Sequence, residues 1–116
     1  ASQTNPTLNI FSSIAPLSSI LDQAEQSTQR YERGNPKSPL DGVPISIKSN
    51  IATSEFSLMA NSDILNGVCG YDSILIQKLK DAGSIIIGQT NMDEFGMGSL
   101  GHNCHHGRGY TINPSP

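Results

Sequence analysis

The sequence predicts an α/β fold with parallel strands, and the order of its hydrophobic segments carries that prediction. Residues 43–48 alternate in the period of a strand, and residues 74–82 have helical spacing. A β-branched run at 85–87 is bounded by glycines nearby, which is typical of a strand covered on both faces. A strand, a crossover helix and a second strand form the βαβ unit of parallel sheets. Because two strands are too few for such a sheet, we expect the fold to be incomplete without further strands.

The first third of the chain is predicted to hold an irregular segment and one amphipathic helix. Residues 1–15 are rich in Ser, Asn and Pro, which favours an irregular lead-in. Apolar residues then recur at helical spacing over residues 17–33, and Gly34 and Pro36 end the pattern. We therefore predict a helix at 17–33 whose apolar side is covered by another element.

The middle of the chain is predicted to contain a turn, a strand and a long loop. Residues 39–42 have the composition of a turn, and the strand follows from Val43. Pro44 cannot donate a ladder hydrogen bond, so it suits the start of the strand or a sheet edge. Residues 49–70 are weakly patterned, which predicts a loop with at most a short helix near 62–65.

Residues 43–116 as a whole are interpreted as strand, helix, strand, helix and a Gly-rich loop. Asp72 is placed to cap the first of these helices. Asn91 and Glu94 have the spacing of a capping box at the start of the second. Glycines recur over residues 98–109, which predicts a loop.

Composition and charge exclude several classes of protein. The 116 residues hold 7 basic against 10 acidic side chains, a net charge of −3, whereas a nucleic-acid-coating protein needs clustered basic residues. No apolar run approaches the ~20 residues of a membrane span, and no signal-peptide pattern is visible. Cys69 and Cys104 are too few for a disulfide framework, so a reducing compartment is expected. With aromatic residues at 5%, the 116 residues by themselves are expected to be partly unfolded.

Lys48 is the first candidate catalytic residue because it is the last residue of a predicted strand. In α/β folds, functional residues commonly lie at the carboxyl ends of the strands. A lysine held there in partly dry surroundings is driven toward its neutral form and can act as a base. The alternative is a lysine that extends its ammonium group into solvent at a strand end.

Two further groups of residues are weaker candidates. His102, Cys104, His105 and His106 offer ligands for Zn²⁺ or Cu²⁺, but no second cluster completes a standard site, so a polar glycine loop is the alternative and no metal is predicted. The glycines of that loop do not match a phosphate-binding motif. Asp93 and Glu94 are adjacent and therefore unsuited to act as paired acid and base, and we expect them to serve a helix start.

Two long motifs resemble the amidase signature family. Residues 39–50, PLDGVPISIKSN, resemble its segment ending in Lys-Asp-Asn, and residues 88–99, GQTNMDEFGMGS, are similar to a segment of one branch. That branch comprises the A subunits of glutamyl-tRNA(Gln) amidotransferases. Residues 71–83 and the Asn-Pro at 113–114 also fit its pattern, so the resemblance covers nearly the whole chain.

The resemblance implies a fold and a mechanism. The family fold is a large mixed sheet flanked by helices, of which this chain would be the N-terminal portion. Its mechanism uses a Ser–cis-Ser–Lys triad in which a neutral lysine activates a serine nucleophile, and Lys48 matches the catalytic lysine. Met97, Gly98 and Ser99 match residues beside the substrate pocket.

The resemblance also implies partners and a location. Glutamine would be the substrate, and its ammonia would pass to a partner subunit, in a complex that holds a B subunit and a small C-like subunit. The partner subunit would use ATP and Mg²⁺, tRNA would bind through the complex, and no cofactor is expected in this chain. No membrane contact is implied. We expect the mitochondrial matrix, with bacterial cytoplasm or chloroplast as alternatives.

The chain departs from the family pattern in ways that keep alternatives open. Both triad serines belong to a segment downstream of the Asn-Pro, and the sequence stops at Pro116, so the 116 residues alone are expected to be inactive. Ser49 stands where the family has Asp, and the loop at 105–110 is longer and more polar. The alternatives are a general small-amide amidase and a truncated, non-catalytic paralogue that acts as an interaction piece.

Overall fold

The computed structural model describes residues 10–65, 67 and 69–99. Its elements are β1 (Phe11–Ile14), α1 (Leu17–Glu32), β2 (Pro44–Lys48), α2 (Ile74–Asp81), β3 (Ile85–Thr90) and a 3-10 turn (Glu94–Gly96). The sheet has the order β1-β3-β2, with β3 antiparallel to β1 and parallel to β2. The predicted α/β fold is confirmed, with a mixed sheet. Within this part of the chain, no helix has the length and apolar character needed to cross a membrane.

The prediction of an irregular lead-in over residues 1–15 is wrong for its last part, because Phe11–Ile14 is a strand. This strand is short and only partly buried, so it lacks the periodicity that identifies strands in a sequence. It forms because the free edge of β3 is available to it. The hydroxyl group of Ser12 also donates to the backbone carbonyl of Gln89 at 3.3 Å.

The predicted first helix is confirmed as α1, which ends one residue earlier than expected at Glu32. Its inner side presents small or branched residues: Ser27 is buried, and Ile20 packs against the core. Gly42 lies directly over Ser27 with a φ of +79°, and a Cβ there would stand 2.5 Å from the serine hydroxyl oxygen. Glycine is therefore required at position 42 both for its backbone conformation and for the close approach of α1.

The parallel pair β2 and β3 is connected through α2, as the sequence predicted. Lys48 pairs with Thr90 at the carboxyl end of both strands, and Pro44 pairs with Ile85 at their beginning. Pro44 is exposed at the start of an edge strand, where its missing N–H costs no ladder bond. Residues 62–65 contain no helix.

Both predicted capping interactions are wrong. The carboxylate of Asp72 accepts hydrogen bonds from Ser54 and Lys80 instead, and that of Glu94 accepts one from Ser62. Ser73, not Asp72, is the N-cap of α2, and its hydroxyl group accepts from the backbone N–H of Ile76. The capping box of Asn91 and Glu94 does not form, since only a 3-10 turn follows it. Asp93 is the N-cap of that turn without a side-chain capping bond.

The core lies between the sheet and the two helices. Ile76 of α2 and Ile86 of β3 are its most buried apolar side chains, at 0% and 2% exposure. The rest of the cluster comes from both halves of the described chain: Ala15, Ile47 and Phe56, with Ile20, Ile45, Ile51 and Leu79 packed around them. Residues of both β2 and β3 belong to this core, which fixes the two strands side by side.

Candidate active site

Lys48 is the last residue of β2, at the edge of the sheet where β3 also ends. Its side chain is exposed and makes no hydrogen bond or ion pair with any residue that the structure describes. The expected dry surroundings of Lys48 are therefore not formed by these residues. The carboxyl ends of the parallel strands do coincide, which is where side chains from separate strands meet in α/β folds.

Ser49 turns the chain inward directly after Lys48. Its backbone N–H donates to the carbonyl of Thr90 at 3.3 Å, and its carbonyl accepts from the N–H of Ala60 at 3.1 Å. The side chain is 2% exposed, and its hydroxyl oxygen has no hydrogen-bond partner among the described residues. Ser49 thus ties the end of β2 to β3 and to the loop that follows.

Residues 60–62 of that loop lie against the segment that leaves β3. The side-chain amide of Asn61 donates to the carbonyl of Met92 at 2.5 Å. The hydroxyl group of Ser62 donates to Glu94 Oε1 at 2.5 Å. The backbone N–H of Phe95 donates to the carbonyl of Ala60 at 3.0 Å. These contacts join two loops that are about thirty residues apart in sequence.

Met97, Gly98 and Ser99 follow this contact region and are all exposed. The N–H of Met97 donates to the carbonyl of Glu94 at 3.0 Å, which closes the 3-10 turn. Gly98 packs directly against the carboxyl group of Asp93, so a side chain at position 98 would overlap it. Residues 97–99 therefore follow the turn that leaves the carboxyl end of β3, the strand whose last residue, Thr90, pairs with Lys48.

Asp93 and Glu94 have separate roles that the sequence did not reveal. Asp93 is buried against Gly98, whereas Glu94 accepts the Ser62 hydroxyl group. Both residues do lie at a helix start, since Asp93 is the N-cap and Glu94 the first residue of the 3-10 turn, but Asp93 makes no side-chain capping bond there. No periodicity signals either contact, because each depends on a residue from another loop or beyond the turn.

A second polar centre lies at the opposite end of β2 and β3. The guanidinium group of Arg30 donates to both oxygens of Asp41, at 2.8 Å and 2.6 Å, and the N–H of Lys37 donates to the same carboxylate at 2.8 Å. The Arg30 hydrogen bond holds the pKa of Asp41 well below its usual range. The same pair raises the pKa of Arg30. This centre anchors α1 to the start of β2.

Another ion-pair group connects α2 to the loop after β2. Lys80 contacts Asp72 at 2.8 Å and Glu55 at 2.7 Å. The Lys80 hydrogen bond and the backbone N–H of Ser54 lower the pKa of Asp72 to about 2. A polar cavity of about 210 Å³ lies near this group and is lined by Gln23, Gln26, Arg30, Lys37, Glu55 and Lys80. It adjoins the beginning of β3, so it is separate from the edge that carries Lys48.

The candidate metal ligands His102, Cys104, His105 and His106 lie outside the described residues. Residues 10–65, 67 and 69–99 contain no group of three His, Cys, Asp or Glu side chains that could hold a metal ion. Cys69 forms no disulfide with any residue of the described part of the chain.

Comparison with known proteins identifies the family to which the chain belongs. The amidase family model matches residues 1–115. The chain therefore belongs to the amidase family, as its two motifs predicted.

Within that family, the chain is similar to proteins named as the A subunits of glutamyl-tRNA(Gln) amidotransferases. It is 43% identical to the mitochondrial protein of Dictyostelium discoideum over 108 residues, which are 92% of this chain and 19% of that protein. It is 44% identical to the Methanococcoides burtonii protein over 105 residues, 89% of this chain and 22% of that protein. The chain thus spans about a fifth of the length of these relatives.

Solved amidase structures have the same fold in the matching region. The native peptide amidase from Stenotrophomonas maltophilia superposes with a TM-score of 0.79 and 27% identity, covering 94% of this chain and 23% of the peptide amidase. The peptide amidase PAM in complex with chymostatin gives a TM-score of 0.71 and 30% identity, covering 81% of this chain and 19% of that structure. The described elements therefore form one part of the amidase fold.

Proposed function

We propose that this chain is part of a glutamine amidohydrolase subunit that supplies ammonia to a tRNA-dependent amidotransferase. The complex would convert Glu-tRNA(Gln) to Gln-tRNA(Gln). The observation that carries the proposal is Lys48, which is exposed at the carboxyl end of β2 and pairs there with the last residue of β3, the strand that leads to residues 97–99. The names of the relatives at 43% and 44% identity support the choice of reaction.

In the proposed mechanism Lys48 is the base of a Ser–cis-Ser–Lys triad. A neutral Lys48 takes a proton through a bridging serine, and the second serine attacks the carbonyl carbon of the glutamine amide. The C–N bond then breaks, the proton returns to the departing ammonia, and a glutamyl ester remains on the serine. Water hydrolyses that ester. Backbone N–H groups stabilise the negative oxygen that forms in the attack.

The two serines would come from sequence beyond the 116 residues. The Gly-Ser-Ser-Gly-Gly-Ser type of segment that the family resemblance calls for does not occur within them. Met97, Gly98 and Ser99 would border the bound glutamine. This chain itself needs no cofactor or metal in the proposal, since ATP and Mg²⁺ act at the partner subunit where glutamyl-tRNA(Gln) is activated.

The proposed partners are the B subunit, together with a small C-like subunit, and tRNA would be held by the complex rather than by this chain. A net charge of −3 agrees with that division, because direct phosphate contacts need basic clusters. We propose the mitochondrial matrix as the location, supported by mitochondrial relatives from Dictyostelium discoideum and dog. A bacterial cytoplasm or a chloroplast is the alternative, and no membrane association is proposed.

The test is the Lys48→Ala substitution in the full-length protein assembled with its partner subunits. We expect glutamine hydrolysis to fall by about 10³-fold or more, as in other enzymes that lose one member of a catalytic triad. Lys78→Ala is the matched control, because Lys78 is also exposed but lies on the outer side of α2. Retention of hydrolysis in Lys48→Ala would overturn the role of Lys48.

A small-amide amidase without a tRNA partner is the second candidate, and the superposition on two solved peptide amidase structures favours it. The two functions differ in their dependence on partners. A profile of amide substrates measured with and without the partner subunits separates them. Hydrolysis of peptide amides in preference to glutamine, unaffected by partners, would select the second candidate.

A further inference from the structure

Residues 60–62, which we term the 60–62 bridge, contact both chain segments that would form the proposed site. The N–H of Ala60 donates to the carbonyl of Ser49, the residue after Lys48, at 3.1 Å. The carbonyl of the same residue accepts from the N–H of Phe95 at 3.0 Å. A single residue therefore connects the end of β2 to the turn that precedes residues 97–99.

The next two residues of the bridge add side-chain contacts on one side only. Asn61 and Ser62 are 1% and 0% exposed, and their side chains donate to Met92 and Glu94 respectively. Hydrogen bonds in such buried surroundings are expensive to lose, because the group left behind has no access to water. The bridge therefore binds the segment after β3 at Met92 and Glu94, shortly before residues 97–99.

Backbone strain in the described chain is concentrated in this contact. Its non-glycine residues with positive φ are Ala60 at 43°, Asn61 at 57° and Phe95 at 51°. Asparagine tolerates this region, but alanine and phenylalanine seldom occupy it. Such conformations persist where the surrounding contacts impose them, and they cluster at functional sites. The hydrogen bond between Phe95 and Ala60 joins two of these strained residues directly.

We propose that Asn61 and Ser62 are positioning residues, which hold residues 97–99 at a set place relative to Lys48. This inference rests on the proposed function, in which residues 97–99 border the amide substrate and Lys48 is the base. Neither side chain touches the reacting atoms. Their contribution is to keep the segment after β3 from moving away from the end of β2.

The test uses Ser62→Ala and Asn61→Gly in the full-length protein with its partner subunits. Asn61→Gly removes the amide but accepts the positive φ of position 61. For both variants we expect KM for the amide to rise about tenfold, with an unchanged pH profile of kcat because Lys48 is untouched. The control is Ser38→Ala, which loses a comparable 2.7 Å hydrogen bond to the carbonyl of Ala82 at the other end of the sheet. It is expected to keep the KM of the unchanged protein.

A double variant checks that the effect of Ser62 acts through Glu94. Because the two side chains form one contact, Ser62→Ala combined with Glu94→Ala should raise KM no further than the stronger single variant. Independent, multiplying effects would overturn the coupling.

A second readout does not depend on activity. The methionines at 59, 92 and 97 all lie in or beside this region, so ¹³C-methyl methionine labelling monitors it directly, with Met97→Leu used to assign the Met97 signal. We expect Ser62→Ala to shift the Met97 methyl resonance and Ser38→Ala to leave it unchanged. An unmoved Met97 signal together with an unchanged KM would overturn the positioning role.

The same experiments distinguish failure of this inference from failure of the proposed function. If the unchanged protein hydrolyses another amide instead of glutamine, the proposed function fails, and the KM comparison is made with that amide. If it hydrolyses no amide, the Met97 resonance alone decides whether the bridge positions residues 97–99.

Discussion

The two ends of the parallel pair β2 and β3 are built in opposite ways. At the beginning of the strands, the buried carboxylate of Asp41 receives hydrogen bonds from Arg30 and from the backbone of Lys37. At their carboxyl ends, Ser49 Oγ and Gln89 Nε2 are buried without a hydrogen-bond partner among the described residues. Buried polar groups are usually paired, so the first end is typical of a stabilising centre.

Backbone conformation repeats the contrast. Positive φ at the beginning of the strands falls on Gly42 and Gly83, for which it costs little. Near the carboxyl ends it falls on Ala60, Asn61 and Phe95, for which it is unfavourable. One end of the sheet therefore anchors the helices, whereas the other holds loops in fixed places through backbone conformations that lower stability. The following predictions test this difference, beginning with the largest effect.

Substitutions at the two ends of the parallel pair should have opposite effects on activity and stability. Lys48→Ala should lower amide hydrolysis by about 10³-fold or more and leave the unfolding midpoint unchanged, because the side chain is exposed. Asp41→Asn should lower the midpoint and leave kcat per folded molecule unchanged, because Arg30 loses its charged partner. Steady-state kinetics and thermal unfolding of both variants provide the measurement. A loss of kcat in folded Asp41→Asn would contradict the separation of the two ends.

Gly83→Ala should destabilise the beginning of the strands strongly. The φ of +90° at Gly83 suits glycine, and a Cβ there would stand 2.6 Å from Asp41 Oδ1. The backbone conformation alone costs about 1–3 kcal/mol for alanine, and displacement of Asp41 adds to it. Gly34→Ala is the matched control, since its φ is +68° and no described residue lies within 4 Å of a Cβ at that position. Denaturant unfolding should show the larger loss for Gly83→Ala, and equal losses would exclude the contact with Asp41 as a cause.

Acid sensitivity should come from the two ion-paired aspartates. The pKa of Asp72 is about 2 in the folded chain against an ordinary value of 3.8, so its stabilisation is present above about pH 4. That stabilisation is lost as the pH falls toward 2, and the lowered pKa of Asp41 acts in the same direction. The free energy of unfolding measured against pH in this window should therefore become less steep in Asp72→Asn. An unchanged slope would contradict the ion pair with Lys80.

The smallest expected effect is a difference in the free energy of unfolding between serine substitutions at the two ends of the sheet. Ser49→Ala should change the free energy of unfolding by less than about 0.5 kcal/mol, because the Ser49 hydroxyl group has no hydrogen-bond partner among the described residues. Ser38→Ala should cost about 1 kcal/mol, because it removes the hydrogen bond to the carbonyl of Ala82. Denaturant titration of the two variants gives the comparison. A larger loss for Ser49→Ala would show that its hydroxyl group is satisfied in the folded protein.

Local patterns predicted the elements whose signals are contained within one segment. Residues 17–33 have helical periodicity and the run at 85–87 is β-branched, so α1 and β3 could be found without knowledge of their neighbours. β1 was missed because four residues, three half-buried and one exposed, carry too little pattern, and their strand conformation depends on the edge of β3. The family motifs predicted Lys48 and residues 97–99 as site residues. Their chemical roles stay predictions.

Competition between distant groups explains the capping errors and the missed bridge. Asp72 and Ser73 can both cap a helix, and Lys80 with Ser54 draws Asp72 away from that role. Glu94 is taken by Ser62, which is 32 residues away, and no spacing rule connects them. Such choices depend on which partner lies close in space, and a local pattern contains no information about that.

The sequence by itself therefore determined the α/β class, the order of α1, β2, α2 and β3, and membership of the amidase family. It could do so because periodicity and motifs are properties of adjacent residues. Only the tertiary structure decided that β1 adds an antiparallel strand to the sheet, that Arg30 pairs with Asp41, and that the 60–62 bridge joins the end of β2 to the turn at Glu94–Gly96. These features depend on long-range packing, which brings buried donors and acceptors together only once the core has formed.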